Sequence, residues 1–198
     1  MNFLTEQLRG YTEYRGRKYH TCCSFDNVLE VQRLFQDERL TAQEKLEQAL
    51  IMLTGGGFRI WLLAPGAKAE LLEQIYREQI SLPKKPQPGK QVRTLDFALD
   101  SEYIFASFMQ QYHMDLQEYQ GRLHWKKFIA LFQGLSEDTK IREVMKIRAM
   151  DIPEPNKWNW KQRKQIMELK SYYALPVQGG GGQQGLDRLF GSLEALAK

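Results

Sequence analysis

Apolar residues recur at every third or fourth position over most of the chain, which is the spacing of one buried helix face. Before the first such pattern, the stretches around Tyr11–Tyr14 and Lys18–Cys23 flank Arg15-Gly16 and predict a short β-hairpin. Three predicted helices follow, with these apolar sets in order: Val28, Val31, Leu34 and Phe35; Ala42, Leu46, Ala49, Leu50 and Leu53; Leu71, Leu72, Ile75, Tyr76 and Ile80.

Local signals predict where the helices of the first half begin and end. Ser24 or Asp26 can cap the first helix, because a short polar side chain accepts from the free N–H groups of a first turn. Thr41-x-x-Glu44 is a capping box for the second helix. Gly55-Gly56-Gly57 then ends it, and the third helix follows Pro65.

The second half is also helical by pattern. The predicted starting residues of its four helices are Asp100, Asp115, Ser136 and Asn156; the second of these runs past Gly121 to about Gln133, and the fourth ends at Ala174. The inward-facing residues are, in order, Ile104, Phe105, Phe108, Met109 and Tyr112; Trp125, Phe128, Ile129 and Phe132; Ile141, Val144 and Met145; Trp158, Ile166, Leu169 and Tyr173.

These patterns predict a mainly α fold, a helical domain with a short N-terminal β-hairpin and a Gly-linked C-terminal amphipathic helix. We expect a hairpin plus helical subdomain over 1–81, a Lys/Pro-rich segment over 82–94 and a helical, basic subdomain over 95–176. A Gly-rich linker (177–185) and the amphipathic helix (186–198) complete the chain. The Lys/Pro-rich segment either separates two subdomains or forms a long loop inside one.

The positive charge is concentrated in the second half. The chain carries a net charge of +4, and residues 122–175 alone hold 12 Lys or Arg against 6 Asp or Glu. Aromatic and basic residues alternate there, which is typical either of a nucleic-acid surface or of core helices with charged outer faces. On a helical wheel the aromatic residues share one face and the cations lie off it, so the pattern favours core aromatics with solvated basic flanks over nucleic-acid binding. An acidic protein partner remains compatible with these flanks, whose candidate binding residues are Lys126, Lys127, Lys140, Arg142 and Lys146.

The C-terminal segment has a separate amphipathic pattern. After the linker QGGGGQQG, the residues Leu186, Leu189, Phe190, Leu193 and Leu196 fall at helical spacing. A helix of about a dozen residues is marginal alone in water, so it needs a surface to lie on. We expect it to dock on a neighbouring copy or on a client protein; the alternative is that it folds back on its own chain.

Motifs of catalysis and cofactor binding are missing from the sequence, so we expect no enzyme, no cofactor and no metal. Gly55-Gly56-Gly57 lacks the Lys-Ser/Thr of a phosphate-binding loop, and no G-x-S-x-G is present. The three histidines (His20, His113 and His124) have no metal-ligand spacing, and the adjacent Cys22 and Cys23 are badly placed to chelate one ion. Without a signal peptide or a long apolar run, we also expect a soluble, cytoplasmic protein that does not bind membranes.

Three stretches of the second half resemble a known family. They are DSEYIFASFMQQYHMDL from Asp100, LHWKKFIALFQGLSEDTKIREVMKIRAMDIP from Leu123 and KQRKQIMELKSYYALP from Lys161. Their order is similar to that in the "gene product fifteen" family, small tail-morphogenesis proteins of long-tailed phages and prophages of Gram-positive hosts. The resemblance covers about Asn2–Pro176, with the first half agreeing in layout only.

The resemblance implies a tail assembly chaperone that acts in the host cytoplasm during assembly and is absent from the mature virion. Its expected partners are the phage tape-measure protein, which it would coat and keep soluble, and further copies of itself. Two other functions stay open from the sequence: a structural tail or connector component of the virion, and a nucleic-acid-binding protein because of the basic block.

Overall fold

A computed structural model describes residues 5–82 and 93–176. Within these ranges it contains β1 (Tyr11–Tyr14), β2 (Arg17–His20), α1 (Phe25–Gln36), α2 (Ala42–Thr54), α3 (Phe58–Trp61), α4 (Pro65–Ile75) with a π-helical turn (Tyr76–Ile80), α5 (Ser101–Tyr112), α6 (Trp125–Gln133), α7 (Lys140–Ala149) and α8 (Trp160–Tyr172). The predicted mainly α fold with an N-terminal hairpin is confirmed. The predicted C-terminal helix and its Gly-rich linker lie outside the described residues.

The hairpin closes through a tight two-residue turn. Arg15 and Gly16 have φ angles of 48° and 72°, and Tyr14 pairs with Arg17 across them. Two positive φ angles in succession match the twist of the flanking strands. β2 ends at His20, earlier than predicted, because the backbone N–H of Cys22 donates to the carbonyl of Leu53 at the end of α2 (2.7 Å).

The capping box at the start of α2 is present, with Thr41 accepting from the Glu44 N–H and Glu44 accepting from the Thr41 N–H. Gly55 ends α2 with a φ of 72°, as the sequence predicts. Asp115 does not begin a helix; turns occupy the following residues and α6 starts at Trp125.

Two other predicted helix starts are also wrong. α7 begins at Lys140 and not after Ser136, whose N–H donates instead to the side chain of Gln111 (2.7 Å). α8 begins at Trp160 because Asn156 forms a turn, accepting from the backbone N–H groups of Trp158 and Asn159 (both 2.9 Å).

By their contacts, the described residues divide into two compact units, each built from two chain segments. The first unit contains residues 5–82 and 117–133, and the second contains residues 93–116 and 134–176. Residues 117–133 therefore group with the N-terminal elements, whereas the sequence pattern places them in the second subdomain. The boundaries of separately folding domains stay a prediction.

The core of the first unit is built around α6. Trp125 and Phe128 are fully buried, and the Phe128 ring stacks on that of Phe25 at 4.8 Å between centroids. Backbone hydrogen bonds join the starts of α1 and α6, from Phe25 N–H to the Leu123 carbonyl (2.9 Å) and from Trp125 N–H to the Cys23 carbonyl (2.8 Å). The prediction that these aromatic residues are core residues is confirmed.

The second unit packs α5 against α7 and α7 against α8. Its core contains Phe108, Ile141 and Val144, all fully buried. Inside it, the guanidinium of Arg148 holds both carboxylate oxygens of Asp100 at 2.7 Å. Asp100 stands at the predicted start of α5, but its side chain does not cap the helix because it is engaged by Arg148.

Candidate functional site

The predicted binding residues of the C-terminal segment lie outside the described residues. They are Leu186, Leu189, Phe190, Leu193 and Leu196. Their docking role stays a prediction.

Lys126 and Lys127 lie at the start of α6 in the first unit, in different surroundings. Lys127 is exposed, as predicted for a solvated flank. Lys126 is buried, and its ammonium donates to the carbonyl of Glu78 in the π-helical turn (2.6 Å). The prediction that Lys126 lies on a solvated flank is wrong, because its long apolar stem packs in the core and only its tip needs a polar partner.

Two titratable groups beside Lys126 are held neutral. Burial and the neighbouring Cys22 raise the pKa of Cys23 to about 12. Burial, followed by the charges of Lys126 and Lys127, lowers the pKa of His124 to about 4. Because the thiolate is the reactive form of cysteine, Cys23 is unsuited to act as a nucleophile at neutral pH.

Lys140, Arg142 and Lys146 lie on α7 in the second unit. The ammonium of Lys140 contacts the Tyr173 hydroxyl (3.0 Å) and the Glu143 carboxylate (2.9 Å), and these hydrogen bonds raise its pKa. Arg142 and Lys146 line one cleft of about 460 Å³ together with Met145 and Glu137. The structure thus brings two of the three cations to one cleft, and their binding role stays a prediction.

An exposed apolar cleft in the first unit was not identified from the sequence. Ile51, Phe58 and Trp61 line a cavity of about 440 Å³. Their side chains are unusually open for large apolar residues: 72% for Phe58 and 73% for Trp61. We call this surface the aromatic cleft (Ile51, Phe58 and Trp61); contiguous exposed apolar residues of this kind mark interaction sites.

The aromatic cleft is positioned by the glycines after α2. Gly57 has a φ of 126°, which residues other than glycine rarely adopt, and α3 begins at the next residue, Phe58. The Phe58 and Trp61 rings then stack at 6.1 Å between centroids. At the edge, Lys68 is paired with Glu47 (2.7 Å), and this contact lowers the pKa of the Glu47 carboxyl. The sequence signal was the run FRIWLL, too continuously apolar for a helix with one buried face.

Two further observations concern membrane spans and metal sites, and both apply to the described residues. None of the helices in residues 5–82 and 93–176 combines the length and the hydrophobicity that a membrane span requires. Residues 5–82 and 93–176 also contain no cluster of three or more His, Cys, Asp or Glu side chains that could hold a metal ion.

Comparison with known proteins identifies a family. The sequence model of a family described as Bacteriophage Gp15 protein matches residues 4–175. No curated protein and no solved structure matches the chain.

Proposed function

Because the chain belongs to the bacteriophage Gp15 protein family, we propose that it is a non-enzymatic tail assembly chaperone. In this proposal it binds the tape-measure protein and keeps it soluble until the tail tube assembles. The family supports a structural or morphogenesis role in the phage. The finer role rests on one observation, the aromatic cleft of the first unit.

The aromatic cleft has the properties that a helical client requires. A long amphipathic chain such as a tape-measure protein has to cover its apolar face before the tube encloses it. An apolar groove binds such a face by accepting side chains from successive helix turns. Phe58 and Trp61 are large aromatic anchors of the type that carries most of the energy in protein interfaces.

The ion pair between Lys68 and Glu47, at the edge of the aromatic cleft, favours one orientation of the client helix. Lys68 is 11% exposed at its side chain, whereas Glu47 is 43% exposed. Glu47 therefore has accessible carboxylate surface that can accept a hydrogen bond from a polar residue beside the client's apolar stripe. This arrangement supports one preferred orientation of the client helix.

The proposal includes many copies on one client. Each copy covers a short stretch, and self-association raises the overall affinity without any new contact to the client. We further propose that the complex forms in the host cytoplasm and that the protein leaves before the virion is complete. Mass spectrometry of purified particles tests this last point, and a stoichiometric amount of the protein would instead support the structural tail or connector component.

The direct test is co-expression with the tape-measure protein of the same phage and recovery through a tag on that protein. The variant carrying Phe58→Ala and Trp61→Ala is expected to reduce co-purification at least tenfold and to return the client to the insoluble fraction. Leu99→Ala is the matched control, since Leu99 is also an exposed apolar residue (56%) but belongs to the second unit.

The same experiment includes a chain that ends at Gln178. If this chain loses client binding while the cleft variant retains it, the contact lies in the C-terminal segment and the cleft proposal fails. If neither the full chain nor any variant makes the client soluble, the chaperone function itself is refuted.

A further inference from the structure

The segment just before and at the start of α8 exposes two tryptophans among cations. Its sequence is KWNWKQRK, Lys157–Lys164, which we call the tryptophan–lysine segment. Trp158 is 92% exposed and Trp160 is 60% exposed. Tryptophan is highly buried on average, so two such side chains facing solvent only two residues apart indicate a functional surface.

The backbone that carries the tryptophans is fixed by hydrogen bonds. Asn156 accepts from the N–H groups of Trp158 and Asn159, and the Asn159 side chain accepts in turn from Asn156 N–H (3.0 Å) and donates to the Glu154 carbonyl (2.8 Å). These contacts hold the turn in one conformation. Trp158 is therefore presented on an ordered turn.

Two cations of this region serve the fold. The Arg163 guanidinium donates to the carbonyl of Pro153, and the Lys170 ammonium donates to the carbonyls of Arg148 (3.0 Å) and Met150. Both contacts attach α8 to the chain that precedes it. They also anchor the tryptophan–lysine segment within the second unit.

Three other cations face solvent beside the tryptophans. Lys157, Lys161 and Lys164 are exposed, and the Lys161 ammonium lies 5.5 Å from the centre of the Trp160 ring. From Lys157 to Tyr172 the sequence holds five Lys or Arg and one Glu, a net charge of +4, equal to that of the whole chain. That single acid, Glu168, is 3.8 Å from Lys164 on the surface, a contact that is weak in water.

We propose that the tryptophan–lysine segment binds single-stranded nucleic acid. Unpaired bases stack on the faces of Trp158 and Trp160, and Lys157, Lys161 and Lys164 contact the phosphates. Proteins that bind single strands without sequence preference combine these two elements, exposed aromatic rings and a row of cations. Bases in a duplex are stacked on one another, so the single strand is the preferred form.

The arrangement is less suited to a membrane or to an apolar protein helix. Either of these needs a continuous apolar stripe along the helix. On the exposed face of α8, Trp160 and Met167 share the same side, but Lys164 lies between them at helical spacing. Stacking of bases on separate rings needs no such continuity.

The test is a titration of the full chain with a fluorescein-labelled oligothymidylate, read by fluorescence anisotropy. Three phosphate contacts predict that the logarithm of affinity falls with the logarithm of salt with a slope of roughly −2. The double variant Trp158→Ala and Trp160→Ala is expected to weaken binding by roughly tenfold or more for each tryptophan. Replacing Lys157, Lys161 and Lys164 with Gln is expected to flatten the salt dependence.

Matched controls come from the first unit. Tyr119→Ala removes an exposed aromatic ring (39%), and Arg33→Gln removes an exposed cation; both are expected to leave oligonucleotide binding unchanged. Circular dichroism checks that every variant is folded.

Three results would overturn the proposal. One is an oligonucleotide affinity that the double tryptophan variant leaves unchanged. Another is competition by duplex DNA as effective as that by the single strand. The third is absence of oligonucleotide binding at low salt; tryptophan-dependent binding to anionic lipid vesicles would then assign the segment to membranes instead.

Discussion

Replacing Arg148 with methionine is expected to destabilise the second unit by about 3 to 5 kcal/mol, because the change leaves a buried carboxylate without its countercharge. Asp100 is 1% exposed at its side chain and Arg148 is 8% exposed. Two hydrogen bonds of 2.7 Å join them, in the paired geometry that fits guanidinium to carboxylate. Methionine preserves the apolar stem of Arg148 and removes only the charged guanidinium group.

The loss of stability expected for Arg148→Met has two parts. The guanidinium also donates to the carbonyls of Thr94 (2.9 Å) and Tyr173 (2.6 Å), and each lost bond costs about 1 kcal/mol. The remainder belongs to Asp100, whose carboxylate keeps the hydrogen bond from the Asp96 N–H (2.9 Å) but loses its countercharge. The double variant Arg148→Met with Asp100→Leu has no uncompensated charge, so we expect it to lie only about 2 kcal/mol below the parent chain.

Urea unfolding of the parent chain, of the single variants Arg148→Met and Asp100→Leu and of the double variant, followed by circular dichroism, measures these differences as a double-mutant cycle. Hydrogen exchange of peptides from α5 and α7 locates the loss in the second unit. Lys146→Met is the control on the same helix, since the Lys146–Glu137 pair is exposed and 3.8 Å long, and little change is expected. The reasoning is refuted if Arg148→Met costs less than about 1 kcal/mol, or if the double variant is no more stable than the single one.

Three further predictions concern the first unit. The pKa of His124 is lowered to about 4 from an ordinary 6.5. Between these pH values the unfolded chain binds more protons than the folded chain, so the stability of the fold decreases as the pH falls from 6.5 to 4. The loss reaches at most about 3 kcal/mol, and His124→Gln is expected to remove this dependence from urea midpoints measured across the same range. Trp125→Ala opens a fully buried site and is expected to cost about 3 to 5 kcal/mol in urea unfolding; a cost below 1 kcal/mol would contradict its place in the core. Thr41→Ala breaks the capping box with Glu44 and is expected to cost about 1 kcal/mol, whereas Thr41→Ser should retain most of it.

The features that could be predicted from the sequence depend on near neighbours. Spacing alone predicts the buried face of α6 with Trp125 and Phe128, since a helix repeats its faces over three or four residues. The capping box at Thr41 needs only residues within one turn. The left-handed backbone at Gly55 likewise depends on the residue itself.

The features that could not be predicted depend on distant partners. Lys126 is buried because it reaches Glu78, 48 residues earlier, and α7 starts late because Ser136 contacts Gln111, 25 residues earlier. The aromatic cleft was not predicted because a run of apolar residues does not indicate whether the folded chain buries it or leaves it exposed. The prediction that Trp158 faces inward on a helix is wrong, because Asn156 forms a turn and Trp158 lies before α8, 92% exposed.

The pairing of α1 with α6 also constrains synthesis of the protein. The side chain of Asp26 accepts from the backbone N–H of Gly121 (2.9 Å), a contact across 95 residues, and Phe25 bonds to Leu123 beside it. A ribosome has therefore to translate the first part of the second unit before it supplies α6, the last helix that the structure describes in the first unit. Until then the nascent chain exposes the apolar surface against which Trp125 packs. Neither unit corresponds to an uninterrupted stretch of the gene, so a premature stop within residues 93–116 leaves both incomplete.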